Sequence, residues 1–298
     1  MPVDSAAVAA RLAELGVRCR FPPAETAVVC GVSGGADSVA LLLLATAAGC
    51  DVTAVHVDHG LRPGSANEAA LVAKVAASVG ARFGALSALV APGSNLEARA
   101  RAARLTALGP DALLGHTADD QAETVLLSLM RGSGLPGLAG VRHERHPILA
   151  LRRAETLALC ALAGIAPFVD PSNASDTHRR NRVRHELLPL LDEIAERDVA
   201  ALLARQAELL RDDADLLDAL AEAIDPTDAI ALRVAPLPLA RRAVRRWLAG
   251  HLDGYPPDAA AVERVLAVAR GDSTACEIAG AGSSGLRIRR SEQRLKIQ

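Results

Sequence analysis

The chain has 298 residues, half of them hydrophobic and only 2% aromatic, which is room for two domains around cores built from Ala, Val and Leu. A formal net charge of −2, with Lys74 and Lys296 the only lysines, excludes a globally basic nucleic-acid coat and confines any such surface to a local arginine patch. Five scattered cysteines without a C-x-x-C pair exclude zinc-finger and iron–sulfur spacings and fit reduced, mostly buried thiols.

The N-terminus carries Asp4 and Arg11 to Glu14 at helical spacing, without a signal-peptide pattern. Ala27 to Val32 reads as a strand, Ser38 to Ala48 as a helix, Val52 to Val57 as a strand and Glu68 to Val79 as an amphipathic helix. Arg82 to Val90 reads as a strand, Leu96 to Leu108 as an arginine-studded helix, Ala112 to Gly115 as a short strand and Asp120 to Met130 as a strong helix. This alternation predicts a parallel sheet covered on both faces, with its ligand site at the C-terminal strand ends. Past Pro189 the pattern is helical to about Arg270, and Glu277 to Gln298 alternates enough for one or two strands. A boundary is expected near residues 190–195. The longest strongly apolar run, Val39 to Gly49, is too short to span a bilayer. The expectation is a cytoplasmic protein with no membrane partner.

The segment Val28 to Ser38 carries the sharpest chemistry. A strand ends in Ser33-Gly34-Gly35, and Asp37-Ser38 opens a helix. Free amides and the helix dipole there suit a phosphate, two glycines allow close approach, and Asp37 asks for a cation in between. The economical reading is a nucleotide pyrophosphate with Mg²⁺. Neither a Walker P-loop nor a dinucleotide fingerprint fits, since the lysine of the first and the glycine spacing of the second are missing.

Four further clusters follow. His59 and Arg62 sit in a loop after the second strand, beside the Ser33 loop. Glu97, Arg101 and Arg104 share one helix face. His116 precedes a helix start with Asp119, Asp120 and Glu123, acids that also suit ordinary capping. That helix ends at Arg131, before a glycine-rich segment, Leu135 to Gly140, suited to mobility over the site. Asp170-Pro171-Ser172-Asn173 then leads to Arg179, Arg180, Asn181, Arg182 and Arg184, a density that suits phosphate binding.

The S-G-G-A-D-S loop resembles that of the PP-loop ATP pyrophosphatases. Together with H-G-L-R, N-L-E-A-x-A-R-x-x-R, G-H-T-A-D-D-Q-A-E-T-V-L, R-G-S-G-L-x-G-L-A-G, D-P-S-N and R-N-R-V-R-H, it occurs in the order typical of the tRNA(Ile)-lysidine synthetases, over about residues 25–191. Two positions depart from that family: Leu105 stands where a tyrosine is usual, and no aromatic lies near His178. The chain resembles family members without a further C-terminal domain.

The resemblance implies an α/β PP-loop catalytic domain over residues 1–191 and a smaller, mainly helical, tRNA-binding domain with a short β segment over 192–298. It implies ATP and Mg²⁺, a CAU-anticodon tRNA(Ile) and free L-lysine as partners, and leaves open whether the protein forms a homodimer. ATP would adenylate the C2 oxygen of the wobble cytidine, and lysine would displace AMP to give lysidine, changing the codon read from AUG to AUA. On this reading Ser33, Gly34, Gly35 and Ser38 hold the pyrophosphate, Asp37 positions Mg²⁺, and His59 and Arg62 line the ATP crevice. Arg101, Arg104 and His116 steady the phosphate and the intermediate, and Asp119, Asp120 and Glu123 face the lysine. Arg131, Asn173, Arg179, Asn181, Arg182 and Arg184 face tRNA or fix the domain junction. The rivals are a tRNA 2-thiolation enzyme, disfavoured by the missing paired cysteines, a synthetase of the amidotransferase type, which lacks a visible glutaminase portion, and a non-catalytic nucleotide- or tRNA-binding protein.

Overall fold

A computed structural model describes residues 5–58, 65–88, 90, 93, 96–168, 179–252, 257–279 and 285–298. The first unit opens with α1 (Ser5–Gly16), β1 (Ala27–Gly31), α2 (Ala36–Ala47), β2 (Asp51–Asp58), α3 (Ser65–Ser78) and β3 (Arg82–Ser87). It continues through α4 (Leu96–Leu108), β4 (Leu113–Leu114), α5 (Ala118–Met130), the single turn α6 (Leu135–Leu138) and α7 (Arg153–Leu162). Then come α8 (Arg179–Arg182), a π-helical turn over Val183–Leu187, α9 (Leu188–Ala195) and the long α10 (Val199–Glu222).

The sheet is parallel throughout, in the order β3-β2-β1-β4. The chain steps outward from β1 to β2 and β3, then returns to place β4 on the other side of β1. The strand order therefore reverses between β1 and β4, the place where an open parallel sheet has its ligand crevice, at the C-terminal strand ends. Its floor is α2, whose eight residues Ser38 to Ala45 are all buried. A helix apolar all round needs partners on every side. Here Leu41, Leu42 and Leu44 share one core with Cys30, Val52 and Ala54 from the strands and with Ile148, Leu159 and Cys160 from the far side.

The second unit contains α11 (Ala229–Val234), α12 (Leu237–Ala249), α13 (Ala259–Arg270) and an antiparallel sheet of β5 (Ala275–Ile278), β6 (Leu286–Ser291) and β7 (Arg294–Ile297). Val262, Val265, Leu266 and Val268 of α13 join Ile278, Ile288 and Leu295 in its core. Three strands stand where the alternation predicts one or two. The β6–β7 hairpin turns on Glu292 and Gln293, both left-handed at φ 50° and 65°. Such turns ordinarily use Asn-Gly, so this one carries no sequence signal.

The compact units are Met1–Glu208 and Leu209–Gln298, divided inside α10. The sequence changes character earlier, near Pro189. The start of α10 nevertheless goes with the first unit, because Ala200 and Leu203 pack with Ala122, Leu126 and Leu188.

Candidate active site

The loop after β1 is shaped partly by the protein and partly for something else. Gly34 is left-handed at φ +87°, and its carbonyl accepts the Phe168 amide at 2.9 Å. Ser38 turns its hydroxyl inward: Oγ donates to the Gly35 carbonyl at 2.8 Å and accepts the Ser33 amide at 3.2 Å. Ser38 thus closes the loop. Gly35 has ordinary extended angles (φ −71°, ψ 159°), and a Cβ there would come no nearer than 3.7 Å to protein, at Ser33 Oγ. Nothing among the described residues demands glycine at 35. Among the described residues, none accepts the amides of Gly34, Gly35, Ala36 and Asp37. Four unclaimed amides at a buried helix's N-terminus, beside a side-chain-free position, form a cradle for phosphate oxygens.

The end of β4 is pressed onto this loop. A Cβ on Gly115 would lie 2.6 Å from the Asp37 carbonyl oxygen and 2.9 Å from Ser38 Cα, so only glycine lets β4 come so close. The turn that follows starts α5. Asp120 Oδ2 accepts the Thr117 amide at 3.0 Å and the Thr117 hydroxyl at 3.1 Å, which fixes the helix entry. Asp120 and Glu123 both point inward, and Glu123 is 0% exposed.

Arginines from two later segments fill the space between the acids. Arg153, on the first turn of α7, reaches Asp37 at 3.2 Å, Asp120 at 2.9 Å and Glu123 at 3.3 Å with a single guanidinium. Thr156, one turn on, donates its hydroxyl to the other Asp37 oxygen. Asp119 faces away from the crevice centre. It takes a two-pronged contact from Arg152, at 2.9 and 3.1 Å, and the Arg153 amide at 2.7 Å. Arg180 bonds Asp120 at 3.0 Å and Glu123 at 2.6 Å, and Arg184 bonds Glu123 at 2.7 Å. Asp37, Asp119, Asp120 and Glu123 thus meet Arg152, Arg153, Arg180 and Arg184.

Protonation follows this pairing. Burial raises the Asp37 carboxyl above the usual range, and Arg153 pulls against it. For Asp120 burial pushes up, but Arg153 and Arg180 prevail and hold it at about 2. Asp119 is likewise lowered: burial is outweighed by the Arg152 hydrogen bonds and the Arg153 amide.

His116 is met by Arg101 of α4. Arg101 contacts His116 Nε2 at 3.3 Å, and burial holds the imidazole down at about 3. Guanidinium nitrogens only donate, so Nε2 accepts and the single ring proton sits on Nδ1. That Nδ1 is buried and has no partner among the described residues, and the same is true of Arg104 Nε. Burial also lowers the Arg104 pKa. A buried N–H without an acceptor is costly. Two of them, one on His116 just after Gly115 and one on Arg104 a turn along α4 from Arg101, fit an oxygen-rich ligand.

Of the residues singled out in the sequence, Ser33, Gly34, Gly35, Asp37 and Ser38 lie on one wall of the crevice. His116, Asp120 and Glu123 lie on the other, and Asp119 forms its outer edge. His59, Arg62 and Asn173 lie outside the described residues, as does the side chain of Glu97. The basic run divides by face. Arg180 and Arg184 turn inward and Asn181 is buried, whereas Arg179 and Arg182 face solvent, Arg182 paired with Glu186 at 2.8 Å. Arg131 is exposed at the end of α5. The glycine-rich stretch is tied down at its end: Gln121 accepts the Val141 amide at 2.8 Å and donates to the Val141 carbonyl at 3.3 Å. Arg152, Arg153 and Thr156 were not foreseen. Their one sequence signal is a paired arginine at a helix start.

Comparison with known proteins agrees with this fold. Residues 6–191 match a PP-loop domain, and residues 228–295 match a TilS substrate binding domain. A tRNA(Ile)-lysidine synthase of Nocardia farcinica is 41% identical, with 93% of this chain and 92% of the relative covered. One of Rhodococcus erythropolis is 43% identical over 83% of this chain and 81% of the relative. Among solved structures, a U34-tRNA thiolase from Methanococcus maripaludis shares the fold, with a TM-score of 0.54, 18% identity, and coverage of 69% of this chain and 79% of that one. With a PP-loop at its sheet's switch point and relatives of this identity along nearly its whole length, the chain belongs to the tRNA(Ile)-lysidine synthase family.

Proposed function

We propose that the protein joins L-lysine to C2 of the wobble cytidine in a CAU-anticodon tRNA(Ile), at the expense of ATP, in the cytoplasm. The C2 oxygen attacks the α-phosphorus of ATP and pyrophosphate leaves. The lysine ε-amine then attacks C2, the C2–O bond breaks, AMP departs, and the amine loses its proton to a nearby base. Adenylation turns a poor leaving group into a good one, and a cytidine in a single-stranded loop is cheap to splay into a crevice. Residues 1–191 carry the chemistry and 192–298 contribute to tRNA binding.

The observation that carries this reading is the set of unclaimed amides at 34–37 beside Asp37, in a chain of this family. The amides and Gly35 receive the pyrophosphate, and the Nδ1–H of His116 and Arg104 face developing charge on the phosphate and the C2 oxygen. Mg²⁺ suits Asp37, since that ion is bound through one or two carboxylates plus phosphate oxygens. No group of three or more metal-binding side chains forms among the described residues, so the nucleotide would share the ion with the protein. No helix among them is long and apolar enough to cross a membrane.

Asp120 and Glu123 are the acids for the lysine ammonium. Both are held by arginines, so a guanidinium must yield when lysine enters, and tRNA phosphate is an anion suited to draw it away. Sulfur delivery by a protein thiol is not favoured: burial pushes Cys30 and Cys160 up to about 12 and Cys19 to about 11, leaving them as thiols at neutral pH. The test is incubation with ATP, labelled lysine and tRNA transcripts. Label entering only the CAU-anticodon tRNA(Ile), and lost together with AMP release in Asp37→Ala, supports the reading. Full ATP cleavage by that variant refutes it.

A further inference from the structure

The second unit contains two arginine-rich faces, and they differ in what their arginines do. On α12 each arginine is already engaged. Arg241 meets Glu263 at 2.6 Å and Arg242 meets Asp218 at 2.5 Å; Arg245 and Arg246 donate to the carbonyls of Pro257 and Ala221. These are struts of the fold.

The small sheet is different. Side chains alternate across a strand, and one face of this sheet is covered by α13, which packs on Ile278, Ile288 and Leu295. Arg287 and Arg289 of β6 and Lys296 of β7 therefore lie on the opposite face, where all three are exposed. Arg289 stands directly across from Lys296 in the strand register. Like charges directly opposite on a sheet are destabilising, so the pair opposes the fold it sits in. Among the described residues of the three strands one acid shares the face, Glu277, across from Arg287. Arg294, also on this face, is engaged by Asp225 and Thr227. For Arg287, Arg289 and Lys296 no side-chain acceptor exists among the described residues. Residues i and i+2 of one strand are about 6.6 Å apart, and neighbouring strands about 4.8 Å, so the three cations form a compact triangle.

We propose that this uncovered face of the β5–β6–β7 sheet docks the sugar–phosphate backbone of the tRNA, with Arg287, Arg289 and Lys296 each placed on a phosphate. The inference rests on the tRNA substrate proposed above. The chain as a whole carries a net negative charge, so a polyanion is held where cations are locally concentrated and uncompensated. Phosphate contacts position a nucleic acid without reading its sequence. This face accordingly contributes affinity and register, and the choice of cytidine belongs to the crevice.

The test is anisotropy of a fluorescently labelled tRNA(Ile) transcript titrated with the full-length protein across a salt series. The triple variant Arg287→Gln, Arg289→Gln, Lys296→Gln should bind at least about tenfold more weakly near 0.1 M salt, with a log–log salt slope shallower by about 2 to 3, as expected for three lost phosphates. Unrelated tRNAs should lose affinity in parallel. The charge-keeping variant Arg287→Lys, Arg289→Lys, Lys296→Arg should stay within about threefold of the parent, since a phosphate contact is mainly charge. Trp247, packed against this unit's core, reports by fluorescence that the variants are folded. A wild-type protein that binds no tRNA overturns the functional proposal. A wild type that binds, with the triple variant matching it in affinity and slope, overturns this inference alone.

Discussion

Changing Gly35 to alanine should leave the fold intact and damage ATP use, whereas the same change at Gly115 should damage both. At Gly35 the backbone lies in a region open to any residue, and among the described residues the new methyl meets only Ser33 Oγ at 3.7 Å and the Phe168 carbonyl at 4.0 Å. Reduced freedom of the unfolded chain favours alanine by about 0.4–1 kcal/mol, and the poorer helix cap costs a comparable amount, about 0.5–1 kcal/mol. The net change in stability is within about 1 kcal/mol. On the ligand side the methyl occupies the approach to the amides of residues 34–37. Losing one charge-assisted hydrogen bond at about 1.5–3 kcal/mol predicts an ATP KM raised by about 10- to 150-fold.

At Gly115 the methyl would sit 2.6 and 2.8 Å from the Asp37 carbonyl oxygen and carbon. Backbone cannot rotate aside, so the first turn of α2 must move. Overpacking of this kind costs about 1–3 kcal/mol, and a displacement of about 1 Å at Asp37 costs about 10²-fold in rate. Urea unfolding followed by far-UV circular dichroism measures the first effect, because Trp247 lies in the other unit. AMP release against ATP concentration, with tRNA present, measures the second. A Gly35→Ala protein with unchanged ATP KM refutes the cradle. A loss of several kcal/mol in that variant refutes the claim that the protein itself leaves the position free.

Three further outcomes follow from the arginine–acid cluster and His116. Glu123→Gln removes a fully buried charge and turns an amide donor toward the Arg180 and Arg184 donors, so it should destabilise the protein by about 3–5 kcal/mol in urea; a loss under about 1 kcal/mol refutes its organising role. His116 is held near 3, against an ordinary value of 6.5, so the unfolded chain takes up its proton first and stability falls as pH drops from 6.5 toward 3, by about 1.4 kcal/mol per unit. His146, whose ring centroid is 4.5 Å away, is lowered in the same sense, so His116→Asn should reduce this slope without abolishing it, and an unchanged slope refutes the buried neutral ring. Equilibrium dialysis with labelled lysine should show weak binding to the free protein, stronger with tRNA present, and stronger in Arg184→Gln alone; equal binding in all three refutes displacement of the guanidinium.

Most of the sheet was legible because strand and helix periods alternate in the sequence, and the Ser33 and His116 segments could be placed at strand ends from that rhythm alone. What pairs with them was not legible. Arg152 and Arg153 belong to a short amphipathic helix, and no local pattern says that one guanidinium will touch Asp37, Asp120 and Glu123, up to 116 residues away. The run Arg179 to Arg184 was visible as a cluster, but the division of its arginines between crevice and solvent depends on the helical register and on the π-helical turn that follows. The β6–β7 hairpin was hidden for a local reason, the absence of glycine or asparagine from its turn.

The acids of α5 show why a structural and a functional reading of the same residues need not compete. Asp120 closes the helix cap through Oδ2 and meets Arg153 and Arg180 through Oδ1. The cap holds the carboxylate at a fixed angle, and the other oxygen is thereby aimed at the cations. An arriving ammonium needs Oδ1 alone, so it can replace a guanidinium without undoing the helix start. Asp119 offers no such division: Arg152 takes both its oxygens, and the Arg153 amide shares Oδ2. On the function proposed, lysine would go to Asp120 and Glu123, while Asp119 holds α7, and with it Arg153 and Thr156, against Asp37.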